Sequence, residues 1–170
     1  MHILYSVLMA CLLLLGSAGA QADVYSDVNQ LLDAKQWDKA QAQAEQHLKA
    51  QPTDPQMRLL QSRIQDGLGQ TEQAMQTLQG LSLSFPELPE PHNNLAALLA
   101  RQNRYAEAVL ALQKAIRVRP DYATALENLG DVYLALAIQA FQSANQAAPP
   151  QARAASKALD AEKLLQSAAP

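Results

Sequence analysis

The chain has 170 residues, 49% of them hydrophobic and 17% charged, with 13 basic against 16 acidic side chains and a net charge of −3. Such a chain has ample apolar material for a single domain. It has no basic stripe that would release counterions from a phosphate backbone, which excludes nucleic acid and argues against an anionic membrane surface as partner.

The first segment, Met1–Ala20, contains no Asp, Glu, Lys or Arg, and Ile3–Leu15 is almost wholly apolar. It ends in Ala18-Gly19-Ala20 before polar Gln21, the small-residue pattern that follows the apolar core of a secretory signal peptide. Export to a periplasm with cleavage after Ala20 is the expectation. Ile3–Leu15 is short of the roughly 20 residues that span a bilayer. The alternative is an uncleaved leader that anchors the protein to the inner membrane through residues 3–20. Cys11 is the one cysteine, and four leucines follow it where a lipidated cysteine would lead into a polar tether. Cleavage would leave no thiol for a disulfide, for catalysis or for a metal.

Beyond the leader a period appears. Pro52, Pro86 and Pro120 stand 34 residues apart, and so do Ala40, Ala74 and Ala108. Each proline stops a helix, because it lacks an N–H and disfavours a helical residue before it. In the first period Leu31, Trp37 and Ala40 precede Pro52. The second holds Gly69, Ala74, Leu78 and Pro86, but polar Gln61 and Gln65 stand on its first helix, leaving Met57, Leu60 and Ile64 as the apolar stripe. The third is the most regular, with Leu95, Ala96, Leu99, Tyr105, Ala108, Leu112 and Ala115. Phe85–Pro91 reads as a rigid turn between periods rather than a polyproline ligand.

These residues resemble the tetratricopeptide repeat family, whose 34-residue unit is a pair of antiparallel helices. The resemblance covers residues from about 22 to 149. It implies an all-α, right-handed α-solenoid in one domain over 21–170, with repeats at about 21–54, 55–88 and 89–122. Small residues recur where two helices must cross closely: Ala40, Ala74 and Ala108 on one side, Val28, Ser62, Ala96 and Gly130 on the other.

The fourth unit, 123–149, departs from the pattern. Leu126, Leu129, Gly130 and Tyr133 match a first helix, and Ala137, Phe141, Ala144 and Pro149 match a second, but the interval between them is too short for a turn. Leu126, Leu129, Tyr133, Leu136, Ala140 and Ala144 form one unbroken helical stripe. The expectation is a single helix over about 122–147, with a hairpin of minimal turn as the alternative. Pro149-Pro150 ends it, and 151–167 reads as an amphipathic capping helix with Ala155, Ala158, Leu159 and Leu165 on its apolar face.

Nothing in the pattern carries catalysis, a cofactor or a metal. His47 and His92 stand in different repeats without a companion at ligand spacing, and no glycine-rich phosphate loop or nucleophile elbow occurs. The resemblance implies a binding role instead, with another protein or a peptide segment as partner and no small-molecule substrate. Stacked hairpins curve, and first helices line the concave side. Carried over position by position, the partner-binding groove would comprise Asn29, Arg63, Asn93, Asn94, Arg101, Glu127, Asn128 and Asp131. The lysines of the family's carboxylate clamp are absent; Glu90 and Asn93 stand at two of their positions. A scaffold or adaptor in the periplasm follows, the alternatives being a structural protein that self-associates through the long and terminal helices, or an anchored accessory subunit of an envelope complex.

Overall fold

A computed structural model describes residues 24–147 and 152–167. The expected signal peptide and cleavage after Ala20 fall outside the described residues. The helices are α1 (24–33), α2 (Trp37–Ala50), α3 (Pro55–Gly67), α4 (Thr71–Ser84), α5 (Glu90–Arg101), α6 (Tyr105–Val118), α7 (Ala123–Gln146) and α8 (Ala152–Ser167). No strand occurs among the described residues, and none of these helices is long and apolar enough to cross a membrane. The fold is all-α, of the α-solenoid class, and its helices form two compact units, one ending at Thr77 and the next beginning at Leu78.

Backbone hydrogen bonds repeat with the sequence period. The turn closing each hairpin places one residue in the left-handed region: Lys35 at φ 55°, Gly69 at φ 77° and Asn103 at φ 59°. The N–H of the next residue then reaches back five positions, Gln36 to Leu31 O at 2.8 Å, Gln70 to Gln65 O at 2.8 Å and Arg104 to Leu99 O at 2.9 Å. This satisfies a carbonyl left over at the end of each first helix. Links between hairpins repeat too: Gln51, Phe85 and Arg119 donate their N–H groups to His47, Leu81 and Ala115.

In the first unit Val28, Leu32, Ala40, Ala44, Met57, Leu60 and Ile64 form a core, with Trp37 and Leu48 packed at its margin. Val28, Ala40 and Ala74 are fully buried and Ser62 almost so, as close helix crossings require. Asp54 caps α3: its Oδ1 accepts the N–H groups of Gln56 at 2.9 Å and Met57 at 3.2 Å, and Pro55 follows in the first turn.

In the second unit Leu78, Leu81, Ala96, Leu98, Leu99, Ala108, Leu112 and Ala115 are buried. Pro89 and Pro91 are fully buried as well, consistent with a packed turn over Phe85–Pro91. Helix α7 is continuous over 24 residues, about 36 Å at a 1.5 Å rise. Helix α6 packs on it, and α8 folds back along it, with Gln142 Nε2 donating to Glu162 Oε1 at 3.0 Å and the Lys157 ammonium 5.3 Å from the centroid of the Phe141 ring. Helix α8 is therefore the second arm of the fourth hairpin.

The burial pattern on these two helices corrects the stripes read from sequence. On α7 the buried residues are Ala125, Val132 and Ala135, while Leu126 and Tyr133 are 47% and 49% exposed. A Cβ added at Gly130 would meet nothing within 4 Å, so the close crossing expected at that glycine is not made. On α8 the buried face is Ala154, Ala158 and Ala161, one step round from the expected one, and Leu159 is 57% exposed. The reason lies in the missing turn: α7 runs on where the earlier repeats reverse, so its partner arm meets it further along.

Candidate partner-binding face

The first helices of successive repeats carry polar residues at equivalent positions, and in each unit these residues bond across to one another. In the first unit Asn29 of α1 lies one period before Arg63 of α3. Its Nδ2 donates to Tyr25 O at 2.8 Å, and its Oδ1 accepts from Arg63 Nη1 at 2.8 Å. Asn29 is half-buried and held at both ends; Arg63 is exposed.

In the second unit three amides form a chain. Asn128 Nδ2 of α7 donates to Asn93 Oδ1 of α5 at 2.8 Å, and Asn93 Nδ2 donates to Asn94 Oδ1 at 3.3 Å. Both bonds depend on amide orientations set by the network. Asn93 is buried, which corrects its reading as a groove contact: α5 and α7 pack directly on each other, and Asn93 lies within that packing as the middle link. Asn94 and Asn128 are half-buried. The chain leaves a donor on Asn94 and an acceptor on Asn128, the pair a peptide group needs. Arg101 and Glu127 are exposed and Asp131 half-buried, on the same helices. Glu90 at the start of α5 pairs with Arg119 at 3.0 Å, and the Arg119 guanidinium lies 5.2 Å from the centre of the Tyr122 ring. Burial, then Glu90, pushes the Tyr122 hydroxyl above its ordinary range, with Arg119 opposing.

A second polar cluster was not read from the sequence. Tyr25 Oη donates to Asp54 Oδ2 at 2.5 Å, and His47 Nε2 lies 2.6 Å from the same oxygen. The Tyr25 and His47 rings are 5.5 Å apart. Burial of Asp54 works to raise its pKa, but hydrogen bonds from Tyr25, His47, Met57 N and Gln56 N together hold it below the usual carboxylate value. The one signal in the sequence was Asp54-Pro55, a cap followed by proline. The cluster joins α1, α2 and the start of α3, and its acid is saturated with donors, so it is structural rather than reactive.

The other histidine among the described residues, His92, lies 3.4 Å from Ser82 Oγ, whose hydroxyl is within 2.9 Å of Leu78 O. Burial, with Lys114 and Arg117 nearby, lowers its pKa. Among the described residues no carboxylate is bonded to His92 to make this pair a triad. Among the described residues no group of three or more His, Cys, Asp or Glu side chains is placed to hold a metal.

Two family models match the chain, one described as a tetratricopeptide repeat over residues 31–101 and one as a TPR repeat over residues 98–136. No curated protein sequence matches it. Among solved structures, a chain of the Naa15/Naa10 complex bound to HypK-THB superposes with a TM-score of 0.61 at 18% identity, covering 88% of this chain. This chain spans only 23% of that one. The crystal structure of MamA protein superposes with a TM-score of 0.52 at 22% identity, over 86% of this chain and 87% of that one. At such identities the likeness is one of fold.

Proposed function

This chain being a tetratricopeptide-repeat protein across residues 31–136, we propose that it is a non-catalytic scaffold that takes an extended segment of another protein against the polar side of its first helices. The observation that carries this reading is the Asn128–Asn93–Asn94 chain, because its 2.8 Å and 3.3 Å bonds preorganise one donor and one acceptor for a main-chain amide. Arg63 gives the face of the first unit a cation, and Glu127 and Asp131 give the face of the second unit acids, so each face taken by itself suits a polar segment. The Naa15/Naa10 structure, whose name records a bound protein, is a precedent for the fold in a complex. Affinity capture by the wild-type chain, with its captured proteins identified, and by Arg63→Ala, Asn94→Ala and Asp131→Ala is the test. Retention of the same captured proteins by all three variants overturns the assignment.

The apolar, uncharged leader supports export to a periplasm with removal after Ala20. Sequencing the N-terminus of the purified protein checks it: Gln21 agrees with cleavage, Met1 with the anchored alternative. Self-association is a second reading, favoured by Leu126 and Tyr133 on α7 and by Leu159 and Leu164 on α8, all between 47% and 59% exposed. Light scattering across a concentration series decides it, a constant monomer mass counting against a dimer.

A further inference from the structure

The first unit contains a cleft of about 230 Å³ where its neighbours in the repeat pattern would place apolar side chains. Its α2 wall is Gln41, Ala44 and Glu45, and its α3 wall is Gln61, Ile64 and Gln65. Gln70 and Gln73 close the side towards α4. Three departures from the period make the space. Ala44 stands where later repeats have Leu78 and Leu112, and Gln61 and Gln65 stand where the third has Leu95 and Leu99. The alanine removes volume, and the glutamines turn the remaining walls polar. Ala44 and Ile64 are buried and form an apolar floor.

The chemistry of the walls restricts what fits. No Lys or Arg lines the cleft and Glu45 is its one charged group, which rules out phosphates and carboxylates as ligands. Gln41 Nε2 donates to Glu45 Oε1 at 2.8 Å, so the α2 wall is left offering Gln41 Oε1 and the carboxylate as acceptors. Gln65 Oε1 accepts from Thr77 Oγ1 at 2.8 Å, which fixes that amide and leaves its N–H groups. The cleft is smaller than the roughly 300–1,000 Å³ of sites for drug-sized ligands. One long side chain fills it.

We infer that this cleft takes an arginine side chain presented by a partner protein. A guanidinium brings five N–H donors in a plane and is weakly hydrated, so it suits a wall of amide and carboxylate oxygens above an apolar floor. Its methylene stem covers Ala44 and Ile64, and a main-chain carbonyl beside it meets the Gln65 N–H. Lysine offers only a compact, strongly hydrated charge that such a floor does not favour. The site is separate from the polar side of the first helices, and its test reads different residues.

The test is a titration of the ¹⁵N-labelled full chain with N-acetyl-arginine amide, followed at the side-chain amide resonances of Gln41, Gln61 and Gln65. Saturable shifts at these three are expected, with weaker binding of N-acetyl-lysine amide at equal ionic strength. Glu45→Gln weakens binding about threefold, the size of an exposed ion pair. Ala44→Leu and, separately, Gln65→Leu fill the cleft and abolish the shifts; each reinstates the apolar type found in the third repeat, and a folded spectrum of either one suffices. Absence of saturation, equal binding of the lysine probe or of methyl glucoside, or unchanged binding in a folded cleft-filled variant overturns the inference.

Discussion

Gly67, near the end of α3, lies directly beneath the Trp37 ring: a Cβ there would come within 2.5 Å of Trp37 Cε3. The large turn-side aromatic of the first repeat is seated on a residue without a side chain. Gly67→Ala is expected to destabilise the protein by about 1–3 kcal/mol through overpacking, despite alanine's better helix propensity. Urea unfolding measures this. A neutral or stabilising result would mean that the indole has room to move.

Gly130 makes the opposite case on α7. It sits inside a long helix with nothing within 4 Å of an added Cβ. Gly130→Ala is expected to raise stability by about 0.5–1 kcal/mol, the penalty of glycine in a helix interior. Thermal unfolding of the pair Gly67→Ala and Gly130→Ala should therefore show shifts of opposite sign.

Asp54 links acid stability to the α1–α2–α3 cluster. Its folded pKa lies below its unfolded one, so its contribution is fully present above the ordinary carboxylate value near 3.9 and fades as pH falls through the folded value. Asp54→Asn keeps a capping side chain but cannot change its ionisation. The gap between the wild-type and variant unfolding free energies should stay level at neutral pH and narrow only below about pH 4. A gap that closes at higher pH would place the lost charge interaction elsewhere.

Asn93 and Asn94 are adjacent in sequence and should differ in kind. Asn93→Ala strips Asn128 Nδ2 of its acceptor within packed helices, an expected loss of about 1–3 kcal/mol. Asn94→Ala removes the outer end of the chain and should cost under about 1 kcal/mol while reducing partner capture. Chemical denaturation beside a capture assay separates the two effects.

The continuity of α7 is open to a direct measurement. Ala137, in the position taken by Lys35, Gly69 and Asn103 in the earlier turns, lies within the helix. Ala137→Pro is expected to cost about 3 kcal/mol or more by removing a helical hydrogen bond. Amide exchange should show unbroken protection from Leu134 to Ala140 in the wild type.

The sequence period carried much of this fold because it encodes both the small residues at crossings and the prolines between hairpins. Gly69 and Asn103 advertise left-handed turns, whereas Lys35 does not: its turn is imposed by the hydrogen bond of Gln36 to Leu31 O. The unbroken α7 was legible from the absence of any such turn residue, yet its buried face was not. Apolar residues stand on more than one side of α7, and which of them turn inward depends on where α8 lands. On the candidate face, the exposure of Arg63 and the half-burial of Asn29, Asn94 and Asn128 follow from their helical positions, whereas Asn93 is buried because α5 meets α7. The Tyr25–His47–Asp54 cluster joins side chains up to 29 residues apart, and no local pattern announces it.

The recurrence of the same turn hydrogen bonds at Gln36, Gln70 and Arg104 also bears on how the chain folds. Each hairpin closes through partners only a few residues apart, and its next contacts reach little further than one period. A topology of such short loops places a small entropic burden on the folding nucleus and gives rapid folding for its length. Folding that starts in the regular third hairpin can spread outward by adding one helix at a time, so that order at either end depends on its neighbour having formed first.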